Sequence, residues 1–156
     1  MSKILKRIAT LGPIGYLPAP GTMGTIAALP LAYGISCMPV LWQLVIIMIL
    51  FGISYFVIGG ALKCFQESDL SGRSRKAKTD PSQIILDEVI GTLVTFCGIS
   101  YSPFIGLLGF VLFRLLDIFK PFGIHHLEKI PGSFGILIDD VAAGLLAHLI
   151  LRLLLL

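Results

Sequence analysis

Charge is scarce in this chain. Asp, Glu, Lys and Arg make up 13% of its 156 residues against 56% apolar residues, and the mean hydropathy is +0.94. That balance excludes a soluble globular domain, in which about a quarter of residues are charged. Cysteine is equally sparse. Cys37, Cys64 and Cys97 are single and far apart, which excludes a CxxC metal or redox pair and a disulfide framework and leaves them as packing residues. Neither a GxSxG elbow nor an HExxH helix occurs, and no cysteine has a neighbouring histidine, so covalent catalysis lacks a candidate. Lys3, Lys6 and Arg7 precede no continuous apolar core before Pro13, Gly15, Pro18 and Pro20, so no cleavable signal peptide is expected. The net charge of +3 does not point to nucleic acid, because the basic residues flank apolar runs, where membrane topology puts them.

What the chain does have is long apolar runs. Residues 40–62 form the clearest membrane span, with Gln43 as the strong polar interruption. Further spans are expected at 25–36, interrupted by Pro30, at 84–99, at 104–119 closed by Pro121, and at 136–156. The expectation is an all-α polytopic membrane helical bundle of four to five spans, a single domain over residues 1–156. The segment 12–24, with four glycines and three prolines, reads as a structured loop that ends any helix begun at Ile4 or Leu5; an amphipathic helix over 1–11 is an alternative. The stretches 63–83 and 122–135 read as aqueous loops. With five spans, eleven of the twelve basic residues gather on one side and only Arg152 lies opposite, which makes the shared side cytoplasmic.

Against this background two acidic pairs stand out. Asp87-Glu88 follows Ile84-Ile85-Leu86, and Asp139-Asp140 follows Ile136-Leu137-Ile138. An acid at a membrane helix centre costs about 3 kcal/mol, so such groups persist where they pair, bind cations or line a polar cavity. Both pairs are expected at the same depth in their spans, each with a small residue (Gly91, or Ala143 and Gly144) within one turn, which lets helices approach closely. Four carboxylates brought together repel and require a cation or shared protons, and hard oxygen ligands favour Mg²⁺. Snorkelling of each pair to the interface is the alternative.

Arg114, Asp117 and Lys120 recur every three residues on one helical face. Asp117 would add a metal oxygen while Arg114 or Lys120 clamps phosphate; an i,i+3 salt-bridge ladder is the competing reading. The run from Ala9 to Thr25, which includes Gly21 and Thr22, offers backbone N–H groups for an anion but lacks the GxxxxGK[ST] spacing. His125 and His126 read as solvated loop residues and His148 as a hydrogen bonder between helices. The remaining chemistry is metal-assisted attack of water on phosphorus.

Taken together, Gly15-Tyr16-Leu17-Pro18 through Thr25, Asp87-Glu88-Val89-Ile90-Gly91, Phe113-Arg114 through Asp117-Ile118-Phe119-Lys120-Pro121, and Gly135-Ile136-Leu137-Ile138-Asp139-Asp140 with Ala143-Gly144 resemble the phosphatidylglycerophosphatase A family. The resemblance implies Mg²⁺-dependent hydrolysis of phosphatidylglycerophosphate to phosphatidylglycerol and phosphate, in phospholipid biosynthesis at the bacterial inner membrane. Carried over by position, Asp87, Glu88, Asp117, Asp139 and Asp140 are the acidic residues of the site, with Arg114 and Lys120 as phosphate contacts. The roles expected within that set are one or two Mg²⁺ ions on Asp87, Asp139 and Asp140, and Glu88 as base. Where the family pattern often has two glycines before the last motif, this chain has Pro131-Gly132-Ser133.

The competing class is a small cation or proton transporter using intramembrane carboxylates, whose acids belong near the midplane. Here they lie within about one turn of the expected cytoplasmic ends. A phosphatidyl transferase would need a DGxxAR pattern, which is missing.

Overall fold

Proline and glycine punctuate the N-terminal quarter, and the computed structural model, which describes residues 2–68 and 83–156, obeys them only in part. Helix α1 (Ser2–Ala9) stops where Leu11 and Gly12 take left-handed backbone angles, and a single 3-10 turn (Ile14–Tyr16) follows. The expected loop then ends early, because α2 (Pro20–Ser36) begins at Pro20. Proline suits a first helical position: its φ is preset, and the N–H it lacks would have had no helical partner. The helix then runs through Pro30, which was expected to interrupt it.

Helix α3 (Val40–Ser68) continues past the expected end at residue 62. The rest of the expected 63–83 loop, residues 69–82, lies outside the described residues. The next helix corrects the expectation most. Helix α4 spans only Leu86–Phe96, eleven residues rather than the expected 84–99, and is followed by Gly98 at φ +66. Eleven helical residues rise about 16 Å, roughly half the hydrocarbon core. Helix α5 (Pro103–Phe119) matches its expected bounds: Ser102 Oγ accepts the Ile105 N–H at 3.2 Å, and Lys120 ends the helix in the left-handed region. The expected loop after it holds a 3-10 helix (Pro121–Lys129), and α6 (Ser133–Leu154) starts before residue 136. Every regular element among the described residues is helical. Two helices, over Val40–Lys63 and Ser133–Leu154, are long and apolar enough to cross a membrane.

Helix α4 is the hub, packed on α6, α2, α3 and α5, while α1 lies along α3. The α4–α6 contact depends on missing side chains. A Cβ at Gly91 would strike the Phe113 ring at 2.6 Å and the Asp140 carbonyl oxygen at 2.8 Å, and one at Gly144 would overlap the Gly91 carbonyl. Phe113, fully buried against Ala143 and Ala147, fills the seam between α5 and α6. In an apolar solvent such close packing replaces water exclusion as the source of helix association. Polar contacts join it: Thr95 Oγ1 reaches the Gly144 carbonyl at 3.5 Å, and His148 Nδ1 lies 3.1 Å from the Thr95 carbonyl, as expected for a helix-bridging histidine.

The outer surface is apolar on a scale that water would not tolerate. Leu41, Met48 and Phe56 of α3, Phe104 and Leu107 of α5, and Leu149 and Leu153 of α6 are all exposed. Cys37 is exposed as well, so it does not pack as expected, whereas Cys97 is half-buried. His126 is exposed; the side chains of His125 and Cys64 lie outside the described set.

Candidate active site

One cavity of about 400 Å³ opens where four helices meet. The first turn of α2 supplies Ala19, Pro20, Gly21 and Thr22; the start of α4 supplies Ile84, Asp87 and Glu88; the end of α5 supplies Arg114, Asp117, Ile118 and Lys120; and α6 supplies Asp139 and Asp140. All nine residues singled out in the sequence line it.

The helices reach this arrangement for local reasons. Asp87 and Glu88 occupy the first turn of α4, where carboxylates complement unpaired N–H groups. Asp139 and Asp140 sit in the second turn of α6, so the two pairs are not at equal depth in their helices as expected. They still meet, because α6 begins farther back along the shared axis and the Gly91–Gly144 crossing lies one turn beyond each pair.

Within the cavity the acids divide. Oxygen atoms of Asp87, Glu88 and Asp140 all lie within 4.8 Å of one another, a spacing that suits three ligands of one metal ion. Asp139, next to Asp140 in the chain, turns to Lys120, whose Nζ is 2.5 Å from Asp139 Oδ2. Asp117 Oδ2 forms an ion pair with Arg114, 2.8 Å from its Nη1. The expected i,i+3 ladder is therefore half present: Arg114 pairs with Asp117, while Lys120 reaches across to α6.

Burial makes the polar atoms costly to leave as they are. Asp87, Asp139 and Asp140 are buried, and among the described residues Glu88 Oε2 and Arg114 Nε are buried without a hydrogen-bond partner. A buried polar group lacking a partner costs about 1–3 kcal/mol. A carboxylate oxygen and a guanidinium nitrogen, both without a hydrogen-bond partner and both on residues lining one cavity, fit a ligand carrying both signs, a cation and a phosphate.

The N-terminus of α2 completes the wall. Ala19 precedes it at φ 54, a left-handed angle that an alanine adopts at a cost. Gly21 then approaches so closely that a Cβ there would collide with Glu88 Oε1 and lie 3.0 Å from Arg114 Nη2. Positive φ at Ala19 and at Lys120, both in the cavity lining, marks backbone strain that the surrounding packing holds in place. Neither angle had a glycine or asparagine to signal it in the sequence. Ile84 and Ile118, apolar members of the lining, were not singled out either, since nothing in their pattern separates them from span residues.

A profile of the family described as Phosphatidylglycerophosphatase A matches residues 7–155. The chain belongs to that family. Phosphatidylglycerophosphatase A of Escherichia coli K12 is 34% identical over 130 residues, covering 82% of this chain and 69% of that protein. Phosphatidylglycerophosphatase A of Haemophilus influenzae is 34% identical over 165 aligned residues, covering 94% of this chain and 91% of its own length. A Bacteroides thetaiotaomicron protein with the provisional name phosphatidylinositol-3-phosphatase is 27% identical over 146 residues, covering 88% and 84%. No solved structure matches the chain.

Proposed function

We propose that this protein is a Mg²⁺-dependent phosphatase that hydrolyses phosphatidylglycerophosphate to phosphatidylglycerol and inorganic phosphate. The observation that carries the reading is the division of one buried cavity into a carboxylate trio, Asp87, Glu88 and Asp140, and a cationic wall, Arg114 and Lys120. Family membership and the names of the Escherichia coli and Haemophilus influenzae relatives support the substrate.

The trio offers oxygen ligands only, the donor set that Mg²⁺ prefers, with Asp117 and Asp139 on the same cavity wall as further candidates. A bound Mg²⁺ would neutralise the carboxylates and withdraw charge from the phosphoryl oxygens. The chain's own groups do the rest. Arg114 and Lys120 bind the phosphate oxygens and offset the charge that grows on them, and the free N–H groups at the start of α2, at Gly21 and Thr22, add donors. Glu88 takes the proton of the attacking water, since its Oε2 has no other partner among the described residues. The bond from phosphorus to the glycerol oxygen breaks opposite the incoming water, its electron pair staying on that oxygen, which takes up a proton, from Glu88 or solvent, as phosphatidylglycerol leaves. Phosphoryl transfer asks little more of a protein than such positioning and charge stabilisation.

The five helices α2 to α6 support a polytopic bundle as a single domain at the bacterial inner membrane, α4 as a short partial insertion and α3 and α6 as full crossings. The charge pattern of the sequence, in which Arg152 stands apart from the other eleven basic residues, supports a cytoplasmic site. Placement of the acids in the first turn of α4 and the N-terminal third of α6, not at helix centres, favours an enzyme working near headgroup level over a transporter.

The reading is tested by phosphate release from phosphatidylglycerophosphate, phosphatidic acid and phosphatidylinositol 3-phosphate in matched micelles. Preference for phosphatidylglycerophosphate is expected. Faster release from phosphatidylinositol 3-phosphate would move the assignment toward the name of the Bacteroides relative.

A further inference from the structure

A second cavity, of about 550 Å³, lies on the other face of the α4–α6 pair, between these helices and α3. Along α6 its lining runs Ile138, Val141, Leu145, His148 and Arg152, a single stripe at helical spacing. Helix α4 contributes Ile90, Val94 and Cys97, and the first half of α3 closes the third side. The polar members, Cys97, His148 and Arg152, all fall at one end. From Ile138 to His148 the stripe rises about 15 Å, the depth of one leaflet's hydrocarbon.

We propose that this groove binds an anionic phospholipid, one acyl chain lying along Ile138 to Leu145 and the phosphate on Arg152. Three observations carry it. The groove is apolar over the length of an acyl chain and cationic where that chain would meet its headgroup. Arg152 is exposed, lines the groove and donates to the Gly98 carbonyl at 3.3 Å through Nη2, one of the five N–H donors of a guanidinium. His148, which lines the same end of the groove, is fixed there by its Nδ1, 3.1 Å from the Thr95 carbonyl oxygen. Arg152 stands about 18 Å along α6 from Asp140, so a lipid seated there is a different molecule from a substrate whose phosphate meets the acids. The site depends on no part of the phosphatase reading, and its readout is bound mass, not hydrolysis.

The test is native mass spectrometry of the full chain in non-ionic detergent, titrated with phosphatidylglycerol or with phosphatidylethanolamine of the same acyl chains. One phosphatidylglycerol per chain is expected, with phosphatidylethanolamine bound more weakly. Arg152→Gln should lower phosphatidylglycerol affinity about tenfold, as loss of a charge-assisted contact implies, and erase the preference between the two lipids. Leu145→Trp should block both, while Leu149→Trp, exposed and off the groove, should behave as the parent. Should Leu145→Trp fail to fold, Arg152→Gln decides alone. Equal binding of the two lipids by the parent, insensitivity to Arg152→Gln, or a dimer that binds no lipid would overturn the proposal, the last by assigning the groove to a second copy of the chain.

Discussion

A Cβ on Gly144 would overlap the carbonyl oxygen of Gly91, so α4 and α6 cross here backbone against backbone. Asp87 lies one turn before Gly91 and Asp140 one turn before Gly144, and the crossing therefore sets the distance between the carboxylates. Gly144→Ala, which meets backbone and not a movable side chain, should push the helices apart. An overpacking cost of about 1–3 kcal/mol is expected, with a matching fall in Tm and a larger fall in activity than in stability. Thermal melting and turnover measured on the same preparation check both.

Gly21 tests the other wall. Its close approach to Glu88 and Arg114 leaves no room for a methyl group. Gly21→Ala is expected to keep Tm within a few degrees but to reduce turnover roughly 100-fold, the scale of a displacement of about 1 Å in a catalytic group. Turnover close to that of the parent would mean that α2 does not shape the site.

The Lys120–Asp139 pair has both partners largely buried, so removing one leaves the other charge without its counter-ion. Lys120→Met is expected to destabilise the protein by about 3–5 kcal/mol, and the double change Lys120→Met with Asp139→Asn to recover most of that stability. Activity should not recover, because the phosphate still lacks its lysine. Denaturation in detergent and phosphate release separate the two effects.

Binding of a cation is checked without turnover. Mg²⁺ added to the purified protein should raise Tm, by the equivalent of about 2.7 kcal/mol at 100 times its Kd. Asp140→Asn should raise Tm in EDTA, by relieving carboxylate repulsion, and abolish the Mg²⁺-induced rise. A Tm indifferent to Mg²⁺ in the parent would remove the trio from the metal site.

The acids were legible in the sequence because a carboxylate in an apolar run is expensive, and the small residues beside them signalled close helix crossing. How the acids divide was not. Adjacent residues of a helix point about 100° apart, so Asp139 and Asp140 must face different neighbours, and which one meets Asp87 and which Lys120 depends on the rotation of α6 against α4 and α5. The short α4 was also hidden, since hydropathy continues through Cys97 and Ile99 and only the backbone of Gly98 marks the stop. Pro20 was read as a breaker where it serves as a helix start. The same residue type supports both readings, and tertiary contact with Glu88 and Arg114 selects one.

The most direct test is phosphate release from phosphatidylglycerophosphate by the purified chain, with Mg²⁺ or with EDTA, beside an Asp140→Asn variant that melts cooperatively. Release with Mg²⁺, lost in EDTA and in the variant, is the predicted result. Release that survives EDTA, or none at all from well-folded parent protein, would contradict it.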